Sequence, residues 1–347
     1  MQAIKYNERI NISKQIPEIG QMATMAQLKQ FSQTDIFNIA ESPNEFSGSL
    51  KTVVFNMERG VNLEETLDFL KQHPDLRDID VVLANELDDG NVRSGMKDVC
   101  KEIAEELGLN YVFGLEFIEL ANPNDEKGYH GNAIMSKWPI TWAKSFYPAQ
   151  PYDWYYSEQP RIGARVAIFA KINVCGKTVG LITAHLENRT DPQGRFEQMQ
   201  SILAEAAIRF DDSIPIILGG DFNTYTFIDD DKSEILKYLA ERQLAVKPLD
   251  VVGKEPLLSF LEKNRYDLRG CNDLDTPTSR ETVKPENISF SSRVDWITAK
   301  NVKCTAHGVI KTTTKECSSW INKDCALARF DKSEISDHDA VWATFML

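Results

Sequence analysis

Short β-prone apolar runs and stretches of helical periodicity alternate along most of the chain. Thr52-Val-Val-Phe-Asn56 and Asp80-Val-Val-Leu-Ala-Asn-Glu86 read as strands. Between them Leu63, Leu67 and Leu70 recur at helical spacing and predict a helix over 63–72. A second helix is predicted over 94–107, with Ser94 as its N-cap and Gly108 just past its end. Beyond it the chain is strand-rich. Runs at 111–117, 132–136, 164–174 and 177–185 read as strands, and Cys175-Gly176 falls where a hairpin turn joins the last two. Helices are predicted over 193–210 and 231–243, on either side of a strand at 214–221, and further strands at 294–299, 302–310 and 340–345. Residues 246–292 read as irregular and polar, with acidic and basic side chains mixed. Many strands with interspersed helices imply sheets packed together with helices outside. Residues 1–50 differ in texture. They form a polar extension with one helical candidate, 19–31, and a Pro/Gly loop near 41–48, ahead of a domain spanning 51–347.

Composition narrows the function classes. The chain has 347 residues, 42% hydrophobic and 26% charged, which is an ordinary globular balance. No stretch reaches the roughly 18–20 apolar residues that a membrane span requires. The N-terminus breaks its apolar runs too often for a signal peptide, so a soluble, cytoplasmic protein is expected. Acidic residues exceed basic ones by 52 to 39, a net charge of −13, so there is no global attraction for nucleic acid, and only a local basic groove would supply it. Excess carboxylates suit a protein that concentrates a divalent cation. The six cysteines are sparse, and the spacing of Cys304, His307, Cys317 and Cys325 fits no familiar zinc finger, so free thiols are expected.

The candidate chemistry lies where apolar strands end. Asn56, Glu86, His185, Asp221 and Asn223 stand at or just past such ends, and Ser336-Asp-His338 precedes the last strand. A strand-end Asp alone is usually a solvated turn residue. Six polar groups able to bind hard cations, carry protons or contact phosphate form a site at a sheet rim.

In their order and spacing, Phe55-Asn56, Asn85-Glu86, Thr183-Ala-His185, Gly220-Asp-Phe-Asn223, Val294-Asp295 and Ser336-Asp-His338 resemble the endonuclease/exonuclease/phosphatase superfamily. That group includes pancreatic-type deoxyribonucleases, abasic-site endonucleases, neutral sphingomyelinases and inositol polyphosphate 5-phosphatases. The resemblance covers residues 51–347 and implies an α/β, four-layer sandwich: two mostly antiparallel sheets face to face with helices on the outer faces. It also implies a phosphate-ester hydrolase that uses Mg²⁺, with Mn²⁺ as the alternative metal.

Residue roles follow from the same resemblance. Glu86 matches the main metal carboxylate, aided by Asn56 and with Asp337 close by, and Glu58 falls where some members place a second acid. His338 matches the general base, with Asp295 accepting its other N–H. Asp221 would orient the attacking water, Asn223 would contact a phosphoryl oxygen, and His185 would serve the leaving group. His130 and Asn132 begin a segment similar to a cleft-lining family strand, and Arg161 fits a phosphate-facing arginine slightly better than Arg165 does.

Substrate choice rests on two segments. Residues 142–156 carry seven aromatics without helical period, which suits either a stacking or interfacial loop or ordinary packing. The stretch 246–292 is long enough for a specificity loop but lacks basic clustering. The leading expectation is a phosphodiesterase or phosphatase acting on a small or lipid-linked phosphate. The alternatives are a nuclease of the same mechanism and an inactive binding protein of the same fold.

Overall fold

Successive side chains of a strand point to opposite faces, and the apolar runs divide accordingly. Val53, Phe55, Val82 and Ala84 join one core, whereas Val54, Val81 and Leu83 join another. Strands buried on both faces need a cover on each side, and that requirement sets the layering. The computed structural model, which describes residues 1–43, 45–228, 233–237, 251–283 and 287–347, meets it with two sheets packed face to face.

The larger sheet runs β1 (Ile36–Phe37), β4 (Asn110–Glu119), β5 (Tyr129–Ser136), β3 (Val81–Asp89), β2 (Ser49–Arg59), β15 (Ala340–Met346) and β14 (Lys303–Ile310), with β7 (Arg161–Gly163) paired to β4. The smaller sheet runs β13 (Asp295–Lys300), β10 (Ile216–Asp221), β9 (Lys177–Ala184), β8 (Ala167–Val174) and β6 (Ile140–Phe146). In these two sheets β2–β3 and β9–β10 pair in parallel and the other pairs are antiparallel. Val54, Leu83, Ile134, Ile168, Leu181 and Ile217 fill the space between the sheets. Helices Leu63–Gln72 and Val99–Leu107 cover the larger sheet through Phe69, Leu70 and Ile103. Helices Pro192–Arg209 and Pro256–Lys263 cover the smaller one through Met199, Ile202, Leu258 and Leu261. The result is the four-layer sandwich.

Several elements depart from the sequence reading. The helix expected from Ser94 begins at Val99, capped by Asp98, whose carboxylate accepts from Lys101 N at 3.1 Å. Ser94 instead closes a 3₁₀ turn that left-handed Gly95 ends. Of the run expected at 164–174 only β8, Ala167–Val174, is strand; residues 164–166 are irregular and follow the short β7. The stretch 246–292 is not wholly irregular: it contains helix Pro256–Lys263, with Pro at its first turn, and a hairpin of β11 (Ser279–Val283) and β12 (Ile288–Ser292). Of the helix expected over 231–243, residues 233–237 are helical and the rest lies outside the described residues. The Cys175-Gly176 turn is as expected, with φ of 47° and 90°.

Residues 1–50 hold more helix than one candidate: Tyr6–Ile19, Gln21–Gln27 and Lys29–Ser32. Ile4, Ile12, Ile16, Met25 and Phe31 pack on Leu115, Ile118, Tyr129 and Ile162 of the larger sheet, and β1 extends that sheet at β4. Arg9 is fully buried and donates to the carbonyls of Glu119, Asn122 and Asp125 at 2.9, 3.2 and 2.7 Å. A cationic head satisfied by backbone oxygens accounts for an arginine in a core-facing helical position.

Close packing around β10 depends on Gly219, which faces Val54 and Leu83 of the larger sheet, and on Gly220, which faces β9. Gly220 has φ +141°, and a Cβ there would overlap the carbonyl oxygen of Ala184 on β9. Gly220→Ala is therefore expected to cost at least about 3 kcal/mol, through strained backbone and overpacking together. Thermal denaturation followed by circular dichroism measures it, and an unshifted melting curve would refute this reading.

Candidate active site

The site begins with two irregularities. β2 and β3 run in register from Thr52↔Val81 to Asn56↔Asn85, and then both lose register, between Asn56 and Arg59 and next to Glu86. Glu58, Arg59 and Glu86 adopt left-handed φ of 45°, 66° and 55°, and Asn223 across the sandwich has 49°. Such conformations cost non-glycine residues of order 1–3 kcal/mol each. Here they turn strand-end side chains onto one rim.

On that rim the sequence-predicted residues converge. Asn56 Nδ2 donates to Glu86 Oε1 at 3.3 Å and to Asp221 Oδ2 at 3.1 Å, bridging the two sheets. Asn85 Oδ1 accepts from Asp221 N at 2.9 Å, a second bridge. His338 Nδ1 lies 2.9 Å from Asp295 Oδ2, and its Nε2 lies 3.8 Å from Asp221 Oδ2. His185 Nε2 approaches the same Asp221 oxygen to 3.5 Å. Asn223 donates its backbone N–H to Asp221 Oδ1 at 2.9 Å and its Nδ2 to Leu186 O at 2.8 Å. Ser336 Oγ donates to Asn56 O at 2.9 Å and accepts from His338 N, tying the Ser-Asp-His segment to β2.

Burial disfavours the His338 imidazolium, but Asp295, Asp221 and Asp337 outweigh it and raise the pKa well above the usual value. Three acids, Glu58, Asp337 and Glu86, act on one another. Burial, then the charges of Asp337 and Glu86, push Glu58 up to about 7. Asp337 is raised as well, by burial and then by Glu86, against the opposing pull of His338. Asp337 N lies 3.3 Å from Glu58 Oε2. Burial also opposes ionisation of Glu86, but His130, Arg59, His185 and Arg165 hold it well below the usual carboxylate range. A second set, Asp221, Asp295 and His338, brings ligand-type atoms within 4.8 Å of one another.

Residues that the sequence reading left out hold this rim in place. Glu116, fully buried on β4, contacts Arg165 Nη1 at 2.6 Å, His185 Nδ1 at 3.2 Å and Asn132 Nδ2 at 2.8 Å. Burial would raise its pKa, but His185 and Arg165 pull it down to about 2. Asn132 Oδ1 in turn accepts from Glu86 N at 3.2 Å. Both polar atoms of the Asn132 amide thus have protein partners, one of them the backbone of Glu86. The signal was present in the sequence: Glu116 is a lone acid inside the apolar run Tyr111–Phe117.

Beside Glu86 opens a cleft of about 390 Å³, lined by His130, Arg161 and Arg165 together with Arg59 and Arg189. His130 Nδ1 pairs with Asp88 Oδ1 at 2.9 Å. The aromatic segment splits in two. Trp142 and Phe146 lie on β6 and pack on Phe210 and Phe169, whereas Tyr152, Trp154 and Tyr156 line the cleft. All six cysteines are free thiols. Among the described residues no helix is long and apolar enough to cross a membrane.

The profile of the Endonuclease/Exonuclease/phosphatase family matches residues 53–338. In structure the chain is similar to an endonuclease/exonuclease/phosphatase from Beutenbergia cavernae, at 17% identity and TM-score 0.53, covering 86% of this chain and 72% of that one. It is similar to a Bacteroides thetaiotaomicron protein of the same description, at 16% identity and TM-score 0.52, covering 86% and 97%. A mannosyl-6-phosphatase of Bacteroides thetaiotaomicron aligns at 15% identity and TM-score 0.52, covering 86% and 100%. At these identities the likeness is one of fold. No curated protein matches the sequence.

Proposed function

Since the chain belongs to the endonuclease/exonuclease/phosphatase family, we propose that it is a divalent-metal-dependent hydrolase of phosphate esters carried by small molecules or lipid headgroups. The observation that carries this reading is the His338–Asp295 pair, 2.9 Å apart, facing an Asp221 that Asn56 links to Glu86.

The donor set fits a hard cation. Glu58, Glu86 and Asp337 are three carboxylates that repel one another, with Glu86 also bonded to the carboxamide of Asn56, and oxygen donors suit Mg²⁺ or Mn²⁺. We place the cation on Glu86, Asn56 and Asp337, with Glu58 beside them. The Asp221–Asp295–His338 set includes an imidazole already paired to a carboxylate, which suits proton transfer better. When bound, the cation would neutralise charge on a phosphoryl oxygen and acidify water.

The protein's own groups divide the remaining work. Asp295 accepts the Nδ1–H of His338 and fixes the tautomer that leaves Nε2 free to take a proton from the attacking water. Asp221, between the two histidines, orients that water. The water oxygen bonds to phosphorus, the ester P–O bond breaks, and the departing alkoxide takes up a proton delivered by His185, which Glu116 and Arg165 hold in place and which solvent reprotonates. Asn223 keeps one amide hydrogen for a phosphoryl oxygen. His130 and Arg161 line the substrate side, and Asn132 acts indirectly, through Glu86.

The cleft's volume of about 390 Å³ and the net charge of −13 favour a compact ester over extended nucleic acid. The test assays purified protein against bis-p-nitrophenyl phosphate, mannose 6-phosphate and plasmid DNA, each with Mg²⁺ and with EDTA. Mannose 6-phosphate is included because one structural neighbour is named for that chemistry. Hydrolysis of a small ester that EDTA abolishes is expected. Cleavage of DNA alone, or turnover insensitive to EDTA, would overturn the proposal.

A further inference from the structure

The cleft carries more positive charge than one bound phosphate needs. Arg59, Arg161, Arg165 and Arg189 line it against two acids, Glu86 and Glu158, in a chain of net charge −13. Arg165 is neutralised within the protein, 2.6 Å from Glu116 and 3.8 Å from Glu187.

Arg161 is not neutralised in this way. It is only 8% exposed, and the carboxylate that pairs with it, Glu119, stands 3.9 Å away and is itself engaged by Arg93 at 3.0 Å. Its Nε has no hydrogen-bond partner among the described residues. The guanidinium lies instead against Phe117 and Trp154, 4.1 and 4.0 Å from the centroids of two rings that meet each other edge to face. Trp154 is itself fixed by its Nε1–H, which donates to Glu187 at 2.9 Å. Burying a cation without a hydrogen-bonded counter-charge is costly. The two ring contacts offset part of that cost, and an anion in the cleft that Arg161 lines would supply the missing counter-charge.

We propose that Arg161, with Arg59 and Arg189, holds a second phosphoryl group of the substrate, so that the preferred substrate is a compact, soluble sugar or polyol carrying two phosphates. This rests on the phosphate-ester hydrolase reading above. One phosphate occupies the reaction centre, where Arg165 already contacts His185 and Glu116. The other sits along the arginine wall. A planar guanidinium recognises phosphate through paired N–H donors, which a lysine cannot reproduce.

The test compares fructose 1,6-bisphosphate with fructose 6-phosphate in two assays. One is turnover with Mg²⁺, and the other is binding by calorimetry in EDTA. Wild type is expected to favour the bisphosphate by about tenfold or more in both. Arg161→Met should bring both ratios to within about threefold of unity, and Arg161→Lys should restore part of the preference. If Arg161→Met fails to fold, Arg59→Met at the more exposed edge of the wall should narrow the same ratios. Equal affinities and equal kcat/KM in wild type would overturn the subsite, as would a full preference retained in folded Arg161→Met. A binding preference with no turnover of any ester would support the subsite while refuting the hydrolase reading. Phosphatidylglycerophosphate in phosphatidylcholine vesicles provides the lipid arm, and faster turnover of it than of fructose 1,6-bisphosphate would overturn the soluble assignment.

Discussion

His338→Ala is expected to lower kcat by about 10³–10⁴-fold with little change in KM, the usual scale for loss of a general base that acts only in the transition state. The imidazole is nearly buried, and Nδ1 is committed to Asp295 at 2.9 Å, so Nε2 is the ring nitrogen left to take the proton. The carboxylates around it raise its pKa against the opposing effect of burial. A base must be neutral to act, so a raised pKa keeps the enzyme silent at low pH, and kcat/KM should climb through that pKa as pH rises. Asp295→Asn removes the nearest negative charge and so lowers the His338 pKa. Its acid limb should move to lower pH even as the plateau rate drops, because the tautomer is no longer fixed. A purely structural Asp295 would reduce rate without moving the profile. Steady-state kinetics over a pH series separates the two, and an unmoved acid limb would remove His338 from the role of base.

How much of this site was legible in the sequence differs from residue to residue, for physical reasons. Asn56, Glu86, Asp221 and His338 stand next to strong apolar runs, and a strand buried on both faces has little freedom in where its end emerges. Their convergence through Asn56 therefore follows from the strand ends once the sheets pack face to face. Glu116 was harder to see, because its role exists only through Arg165, His185 and Asn132, all remote in sequence. The helix Tyr6–Ile19 buries an arginine on backbone carbonyls, so its inward face reads as polar. Helix Pro256–Lys263 sits in a polar stretch and shows its apolar side at Leu257, Leu258, Phe260 and Leu261. The aromatic segment read as one unit divides because β6 ends at Phe146, within it. Tertiary pairing with β8 decides that boundary, and no local pattern encodes it.

Glu86→Gln tests where the cation sits. The substitution keeps the shape of the side chain, the Asn132 hydrogen bond to its backbone N–H and the left-handed turn, and removes one charge. Turnover should fall by about 10²–10⁴-fold, the range expected when a charge essential to phosphoryl chemistry is lost. Activity alone does not locate the metal, so the decisive measurement is the melting temperature with and without millimolar MgCl₂. A cation that binds only the folded state raises that temperature by mass action, and wild type should show the rise. Glu86→Gln should lose most of it. Without metal the variant should melt below wild type, because His130, Arg59, His185 and Arg165 stabilise the Glu86 charge beyond the opposing effect of burial, and the relieved repulsion with Glu58 offsets only part of that loss. If the Mg²⁺-dependent rise survives in Glu86→Gln and disappears in Asp295→Asn, the cation belongs to the Asp221–Asp295–His338 set, whose ligand atoms lie within 4.8 Å of one another. His338 would then be a ligand, and the proton would need another acceptor.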